Sequence, residues 1–226
     1  MSGPAPHIVP LGEAAWTVML GDRVDRTLHR QVMALMGRVE AADLPGVIEV
    51  VPACAALTVF FDPLAVPGPV LREQLRELAA AAPPSRCPDP EGLADLPDHS
   101  LLITIPVVYD GPDLATVLEQ TGLSLESVVR MHTEREYLVY MLGFVPGFAY
   151  LGDLHPALVL PRRASPRTRV PAGSVAMAGA QTAVYPLSTP GGWHMIGSTP
   201  FRLFDHKRNP PSLLSPGNRV RFEPIG

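Results

Sequence analysis

Three short segments in the second half of the chain carry residue types that do chemistry. In the first, Gly143 to Gly152, three glycines separate the rings of Phe144, Phe148 and Tyr150, with Pro146 and Gly147 at the centre. Glycine admits backbone conformations and close approaches that other residues forbid, so this segment can hold rings over a flat ligand. A tight strand-to-strand crossover whose rings plug a barrel explains the same pattern. The second segment, Pro161 to Pro171, gathers Arg162, Arg163, Arg167 and Arg169 in a chain of net charge -4 and stiffens them with prolines. Guanidinium forks bind carboxylate or phosphate bidentately, and the bland alternative is a solvated loop. The third, Ser188 to Gly197, sets Gly191 and Gly192 before Trp193 and His194. Adjacent glycines can turn backbone N–H groups into an anion nest, and His194 can exchange a proton near neutral pH. A lone histidine is more often structural. Gln181 and Thr182 are weaker polar points in the same half.

Other chemistries find no support. The chain has no G-x-S-x-G elbow, no H-E-x-x-H pair and no G-x-G-x-x-G loop, and its one lysine, Lys207, precedes Arg208, which excludes a Walker loop. Cys54 and Cys87 are the only cysteines, too few for a zinc site or a disulfide framework. With 46% hydrophobic and 18% charged residues the composition is that of an ordinary globular protein, and a nucleic-acid partner is not expected. No apolar run approaches the roughly 20 residues that span a bilayer, and no basic-then-apolar leader opens the chain, so no membrane is expected and the chain reads as cytoplasmic.

The elements that must position these segments fall into two styles. Residues 7–20 read as a strand pair broken near Gly12. Val24, Leu28, Val32, Leu35 and Val39 recur every three or four residues, which predicts a helix capped by Asp22 and ended at Leu44-Pro45-Gly46. Val47 to Val51 and Leu57 to Phe61 predict a hairpin. Pro69 opens a second helix striped by Leu71, Leu75, Leu78 and Ala82 and stopped by Pro83 and Pro84. With a strand over 101–109 the order is βαββαβ, which suggests a ferredoxin-like α/β layer. Residues 83–97 hold five prolines and read as a linker, placing a boundary between 84 and 100 and domains at 1–90 and 91–226. Helices follow over 112–121, with Pro112 at the first position and Gly122 at the end, and over 125–135, capped by Ser124. From Tyr137 on, short apolar runs such as Ala157 to Leu160 alternate with Gly and Pro, the pattern of a small β-barrel or sandwich.

Gly143 to Gly152, Pro161 to Arg163, Pro166-Arg167, Val170 to Val175, Gln181-Thr182, Tyr185-Pro186, Pro190 to Trp193 and Ile196-Gly197, in that order, resemble the allophanate hydrolase subunit 1 family. Upstream, Asp62-Pro63, Pro106 to Leu114 and Val129 to Thr133 resemble it too. The resemblance implies an α+β protein, an α/β N-terminal domain joined to a cyclophilin-like β-barrel. It implies work beside a partner of the allophanate hydrolase subunit 2 family, which is the C subunit of bacterial 5-oxoprolinase. In that ATP-dependent enzyme the A subunit joins the pair to open 5-oxo-L-proline to L-glutamate. Two other roles stay open: a module that inhibits a histidine kinase, and a part of a urea-carboxylase or allophanate-type carboxyl-transfer system.

On this reading the three segments line one mouth of the barrel. Phe144, Pro146, Gly147, Phe148 and Tyr150 contact substrate or nucleotide, together with Arg162, Arg163, Arg167, Gln181, Gly191, Gly192 and Trp193. His194 is the candidate catalytic group, no metal is needed, and ATP is used by the complex. Arg167→Ala is expected to leave the fold intact, and Arg208 is expected to be an inconsequential surface residue.

Overall fold

The computed structural model describes residues 7–81 and 101–225. The chain divides into two compact units, Met1–Leu96 and Pro97–Gly226. Ala82, Pro83, Pro84, Cys87 and the expected boundary between 84 and 100 lie outside the described residues.

In the first unit, β1 (His7–Pro10) and β2 (Ala15–Met19) form a hairpin, α1 (Arg26–Ala41) follows, β3 (Val47–Pro52) and β4 (Ala56–Phe61) form a second hairpin, and α2 (Gly68–Ala80) comes last. The strands make an antiparallel sheet in the order β1-β2-β4-β3. Alternation along β4 buries Leu57, Val59 and Phe61, which pack with Val32, Leu35 and Val39 of α1 and Leu71, Leu75 and Ala79 of α2. The helix start differs from expectation. Asp25 caps α1, its carboxylate accepting from the N–H groups of Thr27 and Leu28 at 2.9 and 3.0 Å. Val24 therefore precedes the helix and stands exposed. Cys54 lies in the turn between β3 and β4.

The larger difference concerns the sixth element. β5 (Leu102–Val107) does not join this sheet but pairs in the second unit, and β1 occupies the edge beside β2. A hairpin neighbour closes a shorter loop than a strand far along the chain, so β1 takes that edge at lower entropic cost.

The second unit contains β5, α3 (Leu114–Thr121), α4 (Leu125–Thr133), β6 (Glu136–Leu142), β7 (Ala149–Gly152), a 3-10 turn (Pro156–Leu158), β8 (Arg167–Val170), β9 (Ser174–Ala178), β10 (Gln181–Val184), β11 (Thr189–Gly191), β12 (His194–Ser198) and β13 (Arg219–Pro224). Seven strands form one sheet, β12-β9-β10-β7-β6-β13-β5, while β8 and β11 make a separate ribbon. The sheet curls until its edges meet, where Val108 and Ser198 exchange both backbone hydrogen bonds at 2.8 Å. Glycine is required there, because a Cβ on Gly197 would collide with the Val108 carbonyl oxygen. Ile105, Val107, Val139, Leu151, Met177, Ile196 and Phe222 are among the residues filling the interior. Ala157 to Leu160 is not a strand; Pro156 starts a 3-10 turn there. Gly122, at φ 69°, ends α3 and Ser124 caps α4 as expected. However, α3 begins at Leu114 and leaves Pro112 outside it. Mixed α/β architecture with a nearly closed barrel-like sheet is thus borne out, with four helices among the described residues.

Candidate functional site

Strands β9, β10 and β7 have two faces, and period-two alternation assigns their side chains. Val175, Met177, Val184 and Leu151 belong to the barrel interior; Ala176, Ala178, Ala183 and Tyr150 belong to a second cluster on the outer face. Gly152 keeps that face low, since a Cβ there would collide with the ring of Tyr140. Small residues thus make a floor, and rings stand on it. Phe148 lies at the centre, with ring centroids 5.5 Å from Phe144, 4.9 Å from Tyr150, 5.2 Å from Tyr185 and 5.8 Å from Trp193. All these contacts are edge-on, the favoured geometry for aromatic pairs. Phe144 has φ 68° and is 61% exposed, an uncommon backbone conformation for a bulky residue, which presents its ring to solvent. The first and third segments therefore meet on the outer face of the sheet and not in the mouth of the barrel.

The arginine segment is joined to this cluster through Asp113, which lies in the family-like stretch Pro106 to Leu114 but was not among the expected site residues. Asp113 is 1% exposed, and its carboxylate accepts four bonds: from Arg163, from both terminal nitrogens of Arg167 at 2.7 and 2.8 Å, and from the Met195 N–H at 2.8 Å. Burial alone would raise the Asp113 pKa, but the Arg167 hydrogen bonds, the Met195 N–H and the two guanidinium charges outweigh it and hold the group below its ordinary value. Asp113 stands at the N-cap of α3 yet makes no capping bond, because its oxygens are taken. The expectation of an open clamp is corrected accordingly: Arg163 and Arg167 are committed inside the protein. Removing Arg167 would strip a buried carboxylate of its bidentate partner, so the substitution does not spare the fold.

Further bonds lace the same two segments. The Arg163 N–H donates to the Gly192 carbonyl at 2.8 Å, Gly191 pairs with Arg167 across β11 and β8, and Arg169 reaches Ser188 at 3.2 Å. Neither Gly191 nor Gly192 has the positive φ that an anion nest uses. Gly191 instead lets the Tyr185 hydroxyl approach, where a Cβ would collide with it. Burial raises the Tyr185 pKa, opposed by the Trp193 N–H and the charge of Arg162. His194 is buried, and its Nε2 lies 2.9 Å from the Pro161 carbonyl, which can only accept; the ring proton is therefore on Nε2. Nδ1 is also buried, so neither nitrogen faces solvent. The geometry makes His194 a tie between β12 and the arginine segment.

Of the remaining expected residues, Arg162 is exposed and has no hydrogen-bond or ion-pair partner among the described residues. Gln181 opens β10 beside Ala178 and Gly152, and its buried side-chain nitrogen has no partner among the described residues. Pro146 is exposed, whereas Gly147, at φ 79°, is buried with its Cα against Phe204. Asp113 and Tyr185 are the neighbours of the candidate site that residue types alone did not reveal. An aspartate before an apolar helix reads as a cap, and only the fold brings it to arginines far along the chain. Among the described residues no group of three His, Cys, Asp or Glu is placed to hold a metal, and no helix is long and apolar enough to cross a membrane.

The match to the family described as "Carboxyltransferase domain, subdomain C and D" covers residues 6–214. The chain belongs to that family. Two relatives named as the B subunit of 5-oxoprolinase are similar over nearly the whole chain. The Escherichia coli O157:H7 protein is 43% identical and the match covers 95% of this chain and 94% of the relative; the Bacillus subtilis protein is 40% identical over 96% and 91%. The crystal structure of TTHA0988 has a TM-score of 0.79 at 38% identity over 94% of this chain, which spans only 40% of that longer protein. Kluyveromyces lactis urea carboxylase shares the fold, with a TM-score of 0.76 at 18% identity over 98% of this chain and 22% of its own. The resemblance read from Gly143 to Gly197 is borne out, and this carboxyltransferase-family chain is similar to subunits of an enzyme complex.

Proposed function

We propose that the chain is one component of an ATP-dependent 5-oxoprolinase that opens 5-oxo-L-proline to L-glutamate only together with its partners, a C subunit of the allophanate hydrolase subunit 2 family and a further A subunit. The observation that carries this reading is the 40–43% identity, over 95–96% of the chain, to proteins named for that component. The unstrained lactam carbonyl is a poor electrophile, and ATP supplies the phosphoryl group that makes it attackable by water. The chain's own contribution is binding and orientation. Arg162 is an exposed cation whose charge reaches the Tyr185 hydroxyl, and Tyr185 belongs to the ring cluster of Phe148, Tyr150 and Trp193. A cation beside aromatic edges suits a ring that bears a carboxylate. In this proposal Arg163 and Arg167 act through Asp113 by holding the platform, and His194 positions it.

The same reading assigns the second unit to the cyclophilin-like barrels and the first to a ferredoxin-like layer with β1 at the exchanged edge, and it places the complex in the cytoplasm with the ATP pool. Purified chain, partner pair and reconstituted complex, assayed for ATP-dependent glutamate release from 5-oxo-L-proline, test it. Turnover is expected in the complex alone. Turnover by the single chain, or an assembled complex inert toward 5-oxo-L-proline, overturns it.

A further inference from the structure

The segment from Thr199 to Asn218, between β12 and β13, runs without helix or strand apart from one bridge between Phe204 and Ser212. Irregular stretches of more than about 12–15 residues in compact domains are uncommon and usually functional. This one is braced throughout. Arg208, expected to be inconsequential, donates to the carbonyls of Leu203, Pro210 and Pro211 at 3.1, 3.2 and 2.8 Å and reaches that of Arg202 at 3.4 Å. The Asp205 N–H bonds the Pro211 carbonyl at 2.9 Å, and the Leu213 N–H bonds that of Leu203 at 2.7 Å. Behind it, Gly147 fits against Phe204, where a Cβ would come within 2.6 Å of the Phe204 Cβ, so the glycine-rich loop is shaped to support this segment.

The braced segment walls a cleft of about 600 Å³, a volume typical of small-ligand sites. Its apolar walls include Leu187, Phe201 and Phe204, of which Phe201 is 41% and Leu187 37% exposed. Arg202, His206 and Lys207 stand along it. The one carboxylate among the lining residues, Asp205, is already engaged by Arg202 at 3.1 Å and by the Lys207 N–H at 3.0 Å. That leaves the amine of Lys207, the single lysine of the chain, with no ion-pair partner among the described residues, next to His206. An acidic protein thus holds a rigid cleft with aromatic walls and an uncompensated cation.

We infer that this cleft is a binding site for a flat organic anion, its ring against Phe201 and Leu187 and its phosphate or carboxylate at Lys207. The inference rests on the cleft itself and stands apart from the platform around Arg162. Two sources share this chemistry, a purine nucleotide and a cyclic amino-acid carboxylate. Titration calorimetry of the full chain with ADP, 5-oxo-L-proline and inorganic phosphate separates them. We expect one of the two ring-bearing anions to saturate a single site. Lys207→Ala and Phe201→Ala should each weaken it about tenfold or more, Arg130→Ala, at an exposed position of α4, should leave it unchanged, and phosphate alone should bind at least about tenfold more weakly. Both substituted residues are exposed, so circular dichroism should report an unaltered fold. The inference is overturned if neither ring-bearing anion binds at about millimolar concentration, if both variants bind like the parent, or if Arg130→Ala weakens binding as much as they do. Because no partner protein and no turnover enter this measurement, its failure is distinct from failure of the oxoprolinase assignment.

Discussion

The two units are stabilised in different ways. Among the described residues of the first, His29 is the single buried polar side chain, in a core of Val, Leu, Ile, Ala and Phe. The barrel unit buries Asp113, His132, Thr182 and His194, each with a named partner. An apolar core is non-directional and specifies a layer. A buried carboxylate with four donors specifies positions to a few tenths of an ångström, and that is where the candidate site stands.

The sharpest way to break this contrast is Asp113→Ala. Two half-buried guanidinium groups lose their counter-charge, and a stability loss of about 3–5 kcal/mol in urea unfolding is expected. Asp110→Ala, which removes only an exposed bond to Ser198, serves as the control. In the first unit the matching change is Leu57→Ala, a cavity in a fully buried position that should cost about 2–5 kcal/mol. If it costs as much as Asp113→Ala while Asp113→Asn is silent, the two units do not differ as described.

Acid treats the units alike, through one imidazole in each. Burial pushes His29 down to about 4, partly opposed by a hydrogen bond to the backbone at Ala53, and pushes His132 down to about 3. A directional chain fixes the tautomer of the neutral His132 ring. Thr182 donates to the Ala176 carbonyl at 3.1 Å, so it accepts from Nε2–H at 2.9 Å, and Nδ1 accepts from the Tyr109 hydroxyl at 2.7 Å. Both histidines titrate near 6.5 when unfolded. Below that pH the unfolded chain binds more protons, so stability is full above about 6.5 and falls toward pH 3, with about 3 kcal/mol lost by pH 4 from His29. Equilibrium unfolding at successive pH values checks this, and a flat profile between pH 7 and 4 contradicts it.

Within the barrel unit, Arg167 and Arg162 separate platform from contact. Arg167→Ala should lower stability by about 1.5–3 kcal/mol, whereas Arg162→Ala should leave the melting curve in place and raise KM for 5-oxo-L-proline in the reconstituted complex about tenfold or more. Equal behaviour of the two in both measurements would remove the distinction. The smallest effect belongs to Arg208→Ala. It frees the carbonyls of the exposed Arg202, Pro210 and Pro211 to water, while that of the buried Leu203 keeps its bond from Leu213, so a loss of about 1–2 kcal/mol is expected, read as earlier protease cutting within residues 199–218.

Sequence periodicity alone determined most of the local structure. Stripes at three- and four-residue spacing located α1 and α2, Gly122 and Ser124 marked the ends of α3 and α4, and Gly/Pro punctuation marked the barrel. These signals are local: propensity, capping and alternation act within a few residues. The residue types of the three segments were legible in the same way, and so was the family. What only tertiary structure decided were the pairings. Asp25 outcompeted Asp22 because its carboxylate reached two N–H groups, and β5 left the first sheet because β13 offered a full parallel partner. Arg163 and Arg167 became structural while Arg162 stayed open because a single buried carboxylate, fifty residues away from Arg163 in the chain, satisfies the first two. Burial and charge pairing depend on which surfaces the barrel brings together, and no spacing in the chain encodes that by itself.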